Sequence, residues 1–212
     1  MPHSTFEKFL PWTGALAGIL WGVQVFAAKA TDDPADPSAV RVIRDATAQN
    51  YIAGFALLAG ALMLVFFAAA ARRCLRSGEA GESTYSSVAH GGLVVAAVGF
   101  GLLGVVQIAL TNAAKAPDPA ATATIGQLAL IGWLPALVGF VAAFWGLGLG
   151  GLRHATLPKW FAVVTVVLGV LGVLGPLAMA VYLGLPLWLI AASAVTASRS
   201  GVREAGVVRS RG

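Results

Sequence analysis

The side chains with chemical potential in this chain are few and far apart. There are three histidines, His3, His90 and His154, and a single cysteine, Cys74. Two histidines at similar depth on facing helices would suit a bis-histidine haem. His90 is expected to open a helix and His154 to lie in the next loop at the same end of the molecule. No carboxylate or cysteine cluster accompanies them, so a metal or haem pair is the weaker reading. One thiol excludes an internal disulfide and a multi-thiolate metal site. Cys74 follows Arg72 and Arg73, a setting in which palmitoylation occurs, and an unmodified bystander is the simpler expectation. The sequence holds no HExxH zinc motif, phosphate loop, nucleophile elbow or paired-carboxylate site. The segment GFGLLG at 99–104 has no strand-like run before it and reads as helix packing, not as a nucleotide loop. Asp32, Asp33 and Asp36 fall short of the six to eight defined oxygens that calcium takes, and read as a solvated loop. No catalytic residue, cofactor or metal is expected.

Inside the apolar runs the polar side chains are Gln24, Gln107 and Thr165, with Gln127 near an edge, and no Asp, Glu, Lys or Arg falls mid-run. Ion-coupled transporters usually carry an intramembrane ionisable group, so this pattern argues against one. Gln24 and Gln107 have two uses open to them, lining a small polar cavity or bonding between helices, and the second is preferred. Gly14, Gly18 and Gly22 form a ridge repeating every four residues, and Gly146 and Gly150 repeat the spacing. Such ridges let helix backbones approach closely, where dispersion drives association. Packing within one bundle is the preferred use and a dimer face the alternative.

The elements that position these residues follow from composition. Of 212 residues, 58% are hydrophobic and 11% charged, and the mean hydropathy is +0.82. A soluble domain carries about 25% charged residues, so the surplus apolar surface must face lipid. The net charge of +5 is not gathered on an aromatic-interleaved basic face, which excludes a nucleic-acid surface. The expected fold is an all-α polytopic transmembrane bundle, one domain over 1–198 with a basic tail at 199–212. Six spans are expected near 12–29, 51–71, 89–110, 125–149, 159–174 and 177–197. Ala28-Lys29-Ala30 has the small-x-small form of a cleavage site, but the apolar run before it is longer than a signal-peptide core and Glu7 offsets Lys8, so a retained span is expected. The polar segment at 31–50 carries a turn and cap at Asp36-Pro37-Ser38, and the second helix is expected to begin outside the membrane. Asp118-Pro119 reads as a cap with proline in the first turn. Residues 160–197 carry no charge; as one straight helix they would extend about 57 Å, nearly twice the hydrocarbon thickness. The chain must therefore turn back, and Gly175-Pro176 is the best place. Pro135 and Pro186 are expected to kink spans four and six.

With six spans, one side holds Lys8, Arg72, Arg73, Arg76, Arg153, Lys159, Arg199, Arg203, Arg209 and Arg211, and the other only Lys29, Arg41, Arg44 and Lys115. Positive-inside bias puts the richer side, and with it both termini, in the cytoplasm. Trp12, Trp160 and Trp188 are candidates for the headgroup level.

The segments LPKWFAVVTVVLGVLGVLGPL (157–177) and GLPLWLIAAS (184–193) resemble an uncharacterised family of bacterial six-span membrane proteins, a domain of unknown function. The specific marks are Leu157, Pro158, Lys159 and Trp160, with Pro186, Leu187 and Trp188. The resemblance implies six spans and a bacterial inner-membrane location, and carries no catalytic residue. Three functions are compatible with these features. The leading one is a non-enzymatic accessory, scaffold or regulatory subunit, whose partners are membrane lipid and either further copies or another membrane protein. The second is a small transporter or binding protein for an apolar or lipid-like molecule. A haem-linked redox subunit is the third.

Overall fold

The computed structural model describes residues 5–29, 37–79, 81, 83–116 and 119–209. His3, Asp32, Asp33, Asp36, Asp118 and Arg211 lie outside the described residues. A short helix α1 (Thr5–Phe9) leads through a 3-10 turn (Leu10–Trp12) into α2 (Thr13–Ala27). Then follow α3 (Pro37–Asp45), α4 (Thr47–Arg76), α5 (Thr84–Ala113), α6 (Pro119–Ile131), α7 (Leu134–His154), α8 (Lys159–Leu171) and α9 (Pro176–Arg209). No strand occurs among the described residues. Five helical stretches are long and apolar enough to cross a membrane, and α8 is a shorter apolar helix. The chain thus has the make-up of a multi-pass membrane protein.

Consecutive long helices run antiparallel, as their glycine contacts show. Gly14 of α2 faces Phe67 of α4 while Gly60 of α4 faces Ala17 and Leu20. Gly54 of α4 faces Ile108 of α5, and Gly101 of α5 faces Ala61. Gly148 of α7 faces Val166 of α8, and Gly172, just past α8, faces Val141. Helix α9 closes the bundle against α2, with Gly14 beside Ser193 and Gly18 beside the Pro186 carbonyl.

The tightest seam joins α5 to α7. On α5 the small residues Ala89, Gly92, Ala96 and Gly99 recur three and four apart, and Ala136, Gly139, Ala143 and Gly146 do the same on α7. A methyl group added to Gly92 or Gly99 would run into the backbone of Ala143 or Ala136. One added to Gly139 or Gly146 would meet the backbone of Ala96 or Ala89. The two main chains therefore touch with no side chain between them, which maximises dispersion where lipid offers no hydrophobic drive.

Two breaks shape the second half. Helices α6 and α7 are separated at Gly132-Trp133, and Pro135 lies in the first turn of α7. The expected kink is therefore a full interruption: the proline ring would clash with the Ile131 carbonyl and has no N–H to give it. The Trp133 indole donates to the Leu130 carbonyl at 2.9 Å and so satisfies one of the freed acceptors. Between α8 and α9 the chain turns over 172–175, with Gly175 at a φ of +42°, a left-handed conformation that favours glycine. Pro186 lies inside the continuous helix α9. Helices α3 and α4 are parted at Ala46, and Ile43 of α3 packs on Leu110 and Ala114 at the end of α5.

Gly139→Ala should overpack the α5–α7 seam and cost about 1–3 kcal/mol. The measurement is the thermal unfolding midpoint in mild detergent. Gly91→Ala is the matched control, since nothing lies within 4 Å of its added methyl, and its midpoint should stay level or rise slightly.

Candidate functional site

The centre of the bundle is filled by aromatic rings. Trp188 of α9 stands edge-on to Phe144 with ring centroids 4.7 Å apart and lies flat against Phe161 at 6.1 Å. Phe140 touches Phe144, Phe100 and Trp188 in turn. A second group joins Trp21, Tyr182 and Trp133, with centroid separations of 5.0 and 5.4 Å around Tyr182. Both buried indoles have an acceptor: Trp188 donates to Thr165 Oγ1 at 3.1 Å, and Trp21 donates to the Tyr182 hydroxyl at 3.2 Å. Trp188 was expected near the headgroups and is instead only 5% exposed. The reason is packing: more than three turns past Pro176, the Trp188 ring is enclosed by Phe140 and Phe144 of α7 and by Phe161 and Thr165 of α8.

At the end of the bundle where α2 stops and α4 starts, Asn50 is fully buried. Its Oδ1 accepts from the Lys29 backbone N–H at 2.9 Å and from Gln107 Nε2 at 3.3 Å. Its Nδ2 donates to the Ile43 carbonyl at 3.3 Å. One carboxamide thus ties the end of α2, α3, α4 and α5 together. Around it Arg44 Nε donates to the Ala114 carbonyl at 2.8 Å, and Tyr51 donates to Asn112 Oδ1 at 2.5 Å. Lys115 sits over the Tyr51 ring at 4.6 Å.

The opposite end is basic. Arg73 pairs with Glu7 at 3.3 Å, and Arg153 donates to the Tyr85 hydroxyl at 3.1 Å. The carboxylate of Glu79 caps the start of α5, accepting from the Ser86 N–H at 2.9 Å and the Ser86 hydroxyl at 2.6 Å. It satisfies one of the orphan donors of the helix start and lies at the positive end of its dipole.

The residues singled out from sequence take distinct places. Gly14 and Gly18 face Ser193, Phe67 and Pro186, while Gly146 and Gly150 face Ala89 and Tyr85. These four pack inside the bundle. Gly22 is different: among the described residues nothing lies within 4 Å of a methyl built on it. Gln107 is buried and spends its amide on Asn50; Gln24 is half-buried in the last turn of α2 and is not among the partners of Asn50. Pro135 opens α7 and Pro186 lies within α9. His154 packs its ring on Tyr85 at 5.8 Å, and His90 Nδ1 is buried with no hydrogen-bond partner. No group of three or more His, Cys, Asp or Glu side chains is placed to hold a metal among the described residues.

Sequence reasoning missed Asn50, which stood at the edge of a polar loop, and the two indole donors, which stood among apolar residues. An asparagine directly before the second apolar run, which starts at Tyr51, was the available signal for the first. No signal existed for the indole acceptors, which come from residues far away in sequence.

One depression lies on the flank of α2. Ile19, Gly22, Val23, Phe26 and Ala27 wall it, Lys29 and Gln49 complete its lining, its volume is about 610 Å³, and it is broadly open. No protein family, curated protein or solved structure matches this chain.

Asn50→Leu should leave Gln107, the Lys29 N–H and the Ile43 carbonyl without partners, at about 1–3 kcal/mol for each group left buried. Hydrogen exchange at the Lys29 amide is the readout. It should speed up strongly in the variant, while exchange in the α5–α7 seam changes little.

Proposed function

We propose that the chain is a six-span protein of the bacterial plasma (inner) membrane, with both termini in the cytoplasm. It acts without catalysis, as an accessory, scaffold or regulatory subunit. The observation that carries this is the filled centre: Trp188, Phe140, Phe144, Phe161 and Phe100 occupy the space a central pathway or cofactor would need. The polar side chains nearby, Thr165, Tyr182 and Trp21, bond to one another or to the rings. A protein so built has only its outer surfaces to work with.

Six spans rest on α8. Its 13 residues extend about 20 Å, short of the hydrocarbon core of about 30 Å, and the turn residues 172–175 add to its reach. Counting it as a crossing puts Arg73, Arg153 and Lys159 on one side with the basic tail, the cytoplasmic side by positive-inside bias. Trp12 and Trp160, both exposed, belong to that end and suit the headgroup level. Kinship with the six-span family of unknown function, on Leu157–Trp160 and Pro186–Trp188, is part of the same proposal.

Since Gly14, Gly18, Gly146 and Gly150 are engaged inside the bundle, contact with a partner or a second copy falls to the exposed apolar faces, among them Phe55, Leu62, Val98 and Val138. The second reading, a binding protein for an apolar or lipid-like molecule, is favoured by the depression at Gly22.

Two measurements test the proposal. An alkaline-phosphatase fusion at the carboxyl end should be inactive and a fluorescent-protein fusion there bright, with the reverse for fusions after Ala116; the opposite pattern would sink the orientation. Cross-linking in native membrane should trap a discrete larger species. A chain that stays monomeric and captures nothing removes the scaffold role.

A further inference from the structure

We propose that the depression beside Gly22 is a binding site for one anionic phospholipid, with an acyl chain lying along α2 and the headgroup phosphate at Lys29. This rests only on the multi-pass reading and on the second functional reading above, and it names the class of ligand.

The glycine ridge of α2 is used unevenly. Gly14 and Gly18 are pressed against α4 and α9, so that a methyl on Gly18 would come 2.8 Å from the Pro186 carbonyl oxygen. Gly22, one turn further on, meets nothing among the described residues. A ridge that served packing alone would not open a dent at its third step. The dent is walled by Ile19, Val23 and the largely uncovered ring of Phe26, which is 85% exposed. It follows one face of α2, and from Gly22 to Lys29 the helix and its end rise about 10 Å. A site walled by apolar side chains on one face of a long apolar helix, and open to the surroundings, matches the chemistry of a lipid tail.

The polar end completes the match. Lys29 and Gln49 line the depression at the end where α2 stops and α4 starts. The Lys29 backbone is anchored there by Asn50 Oδ1 at 2.9 Å, so the ammonium is carried on a held stem and not on a free loop. An ammonium with an amide beside it recognises a phosphate ester, and a phosphate at that height belongs to a lipid whose chains point back along α2. The apolar mid-run faces of this chain's own helices carry no Asp or Glu to answer Lys29, whereas a phosphate ester carries a negative charge. Charge complementarity therefore favours the lipid over a second copy.

The test is native mass spectrometry of the full chain released from bilayers holding equal amounts of phosphatidylglycerol and phosphatidylcholine with the same acyl chains. The wild type should keep one lipid, with phosphatidylglycerol favoured about tenfold. The first atom of a side chain at Gly22 meets nothing within 4 Å among the described residues; Gly22→Leu should reach into the dent, lower lipid retention about tenfold and leave the unfolding midpoint level or slightly raised. Lys29→Gln should keep the lipid but bring the two headgroups to near parity. Unchanged retention in Gly22→Leu overturns the site, as does a headgroup preference that survives Lys29→Gln. A wild-type dimer that Gly22→Leu dissolves would overturn it too, by assigning the dent to a second copy. Alkaline carbonate extraction of the membranes reads the multi-pass assignment separately: chain released by carbonate would sink that assignment, whereas chain retained in membranes but lipid-free on release sinks the site alone.

Discussion

Every peptide group that enters hydrocarbon must find its hydrogen-bond partner within the protein, and this requirement governs the molecule. An unsatisfied amide in lipid costs several kcal/mol, so the long apolar stretches coil and each helix arrives already saturated. Once that has happened, water expulsion no longer draws the helices together. Cohesion has to come from dispersion between surfaces that fit, and from the few polar side chains that can bond across a gap.

The α5–α7 seam supplies the first kind of cohesion. Ala89, Gly92, Ala96 and Gly99 meet Ala136, Gly139, Ala143 and Gly146 with main chain against main chain, and the pairing leaves no room for a further carbon. Around this seam the bundle widens, and larger side chains fill the space: Phe140 and Phe144 on α7 reach Trp188 on α9, where the backbones stand further apart. Small residues on one face of α7 and large ones on the other thus serve the same end. The polar bonds are spent at places where dispersion alone would allow sliding. Trp188 with Thr165 fixes α9 on α8, Trp21 with Tyr182 fixes α2 on α9, and Asn50 with Gln107 fixes α4 on α5.

The two interruptions have local causes with distant effects. Pro135 ends α6 and starts α7 because its ring and missing N–H forbid continuation, and the break brings Trp133 within reach of Tyr182. Gly175 turns the chain with a positive φ, and the turn lets α9 bring Trp188 against Phe144 and Phe161. A shift of the turn by half a helical turn would swing Trp188 to another face of α9, away from Phe144.

Composition and spacing were enough, by themselves, to determine that this chain is helical, apolar beyond what water would tolerate, and broken near Gly175-Pro176. These properties belong to single segments: hydropathy is additive along the chain, and the proline and glycine constraints act within a few residues. The close-packing role of GFGLLG was legible for the same reason, since small residues on a helix have little else to offer. Only the tertiary structure decided which glycines are pressed and which is free, because Gly14, Gly18 and Gly22 are equivalent in sequence and differ only in what stands opposite. It also decided that Gln107 bonds to Asn50, and that Trp188 lies inside. A side chain's partner depends on the offset and rotation of another helix, and those are set by the sum of all contacts, which no local pattern encodes.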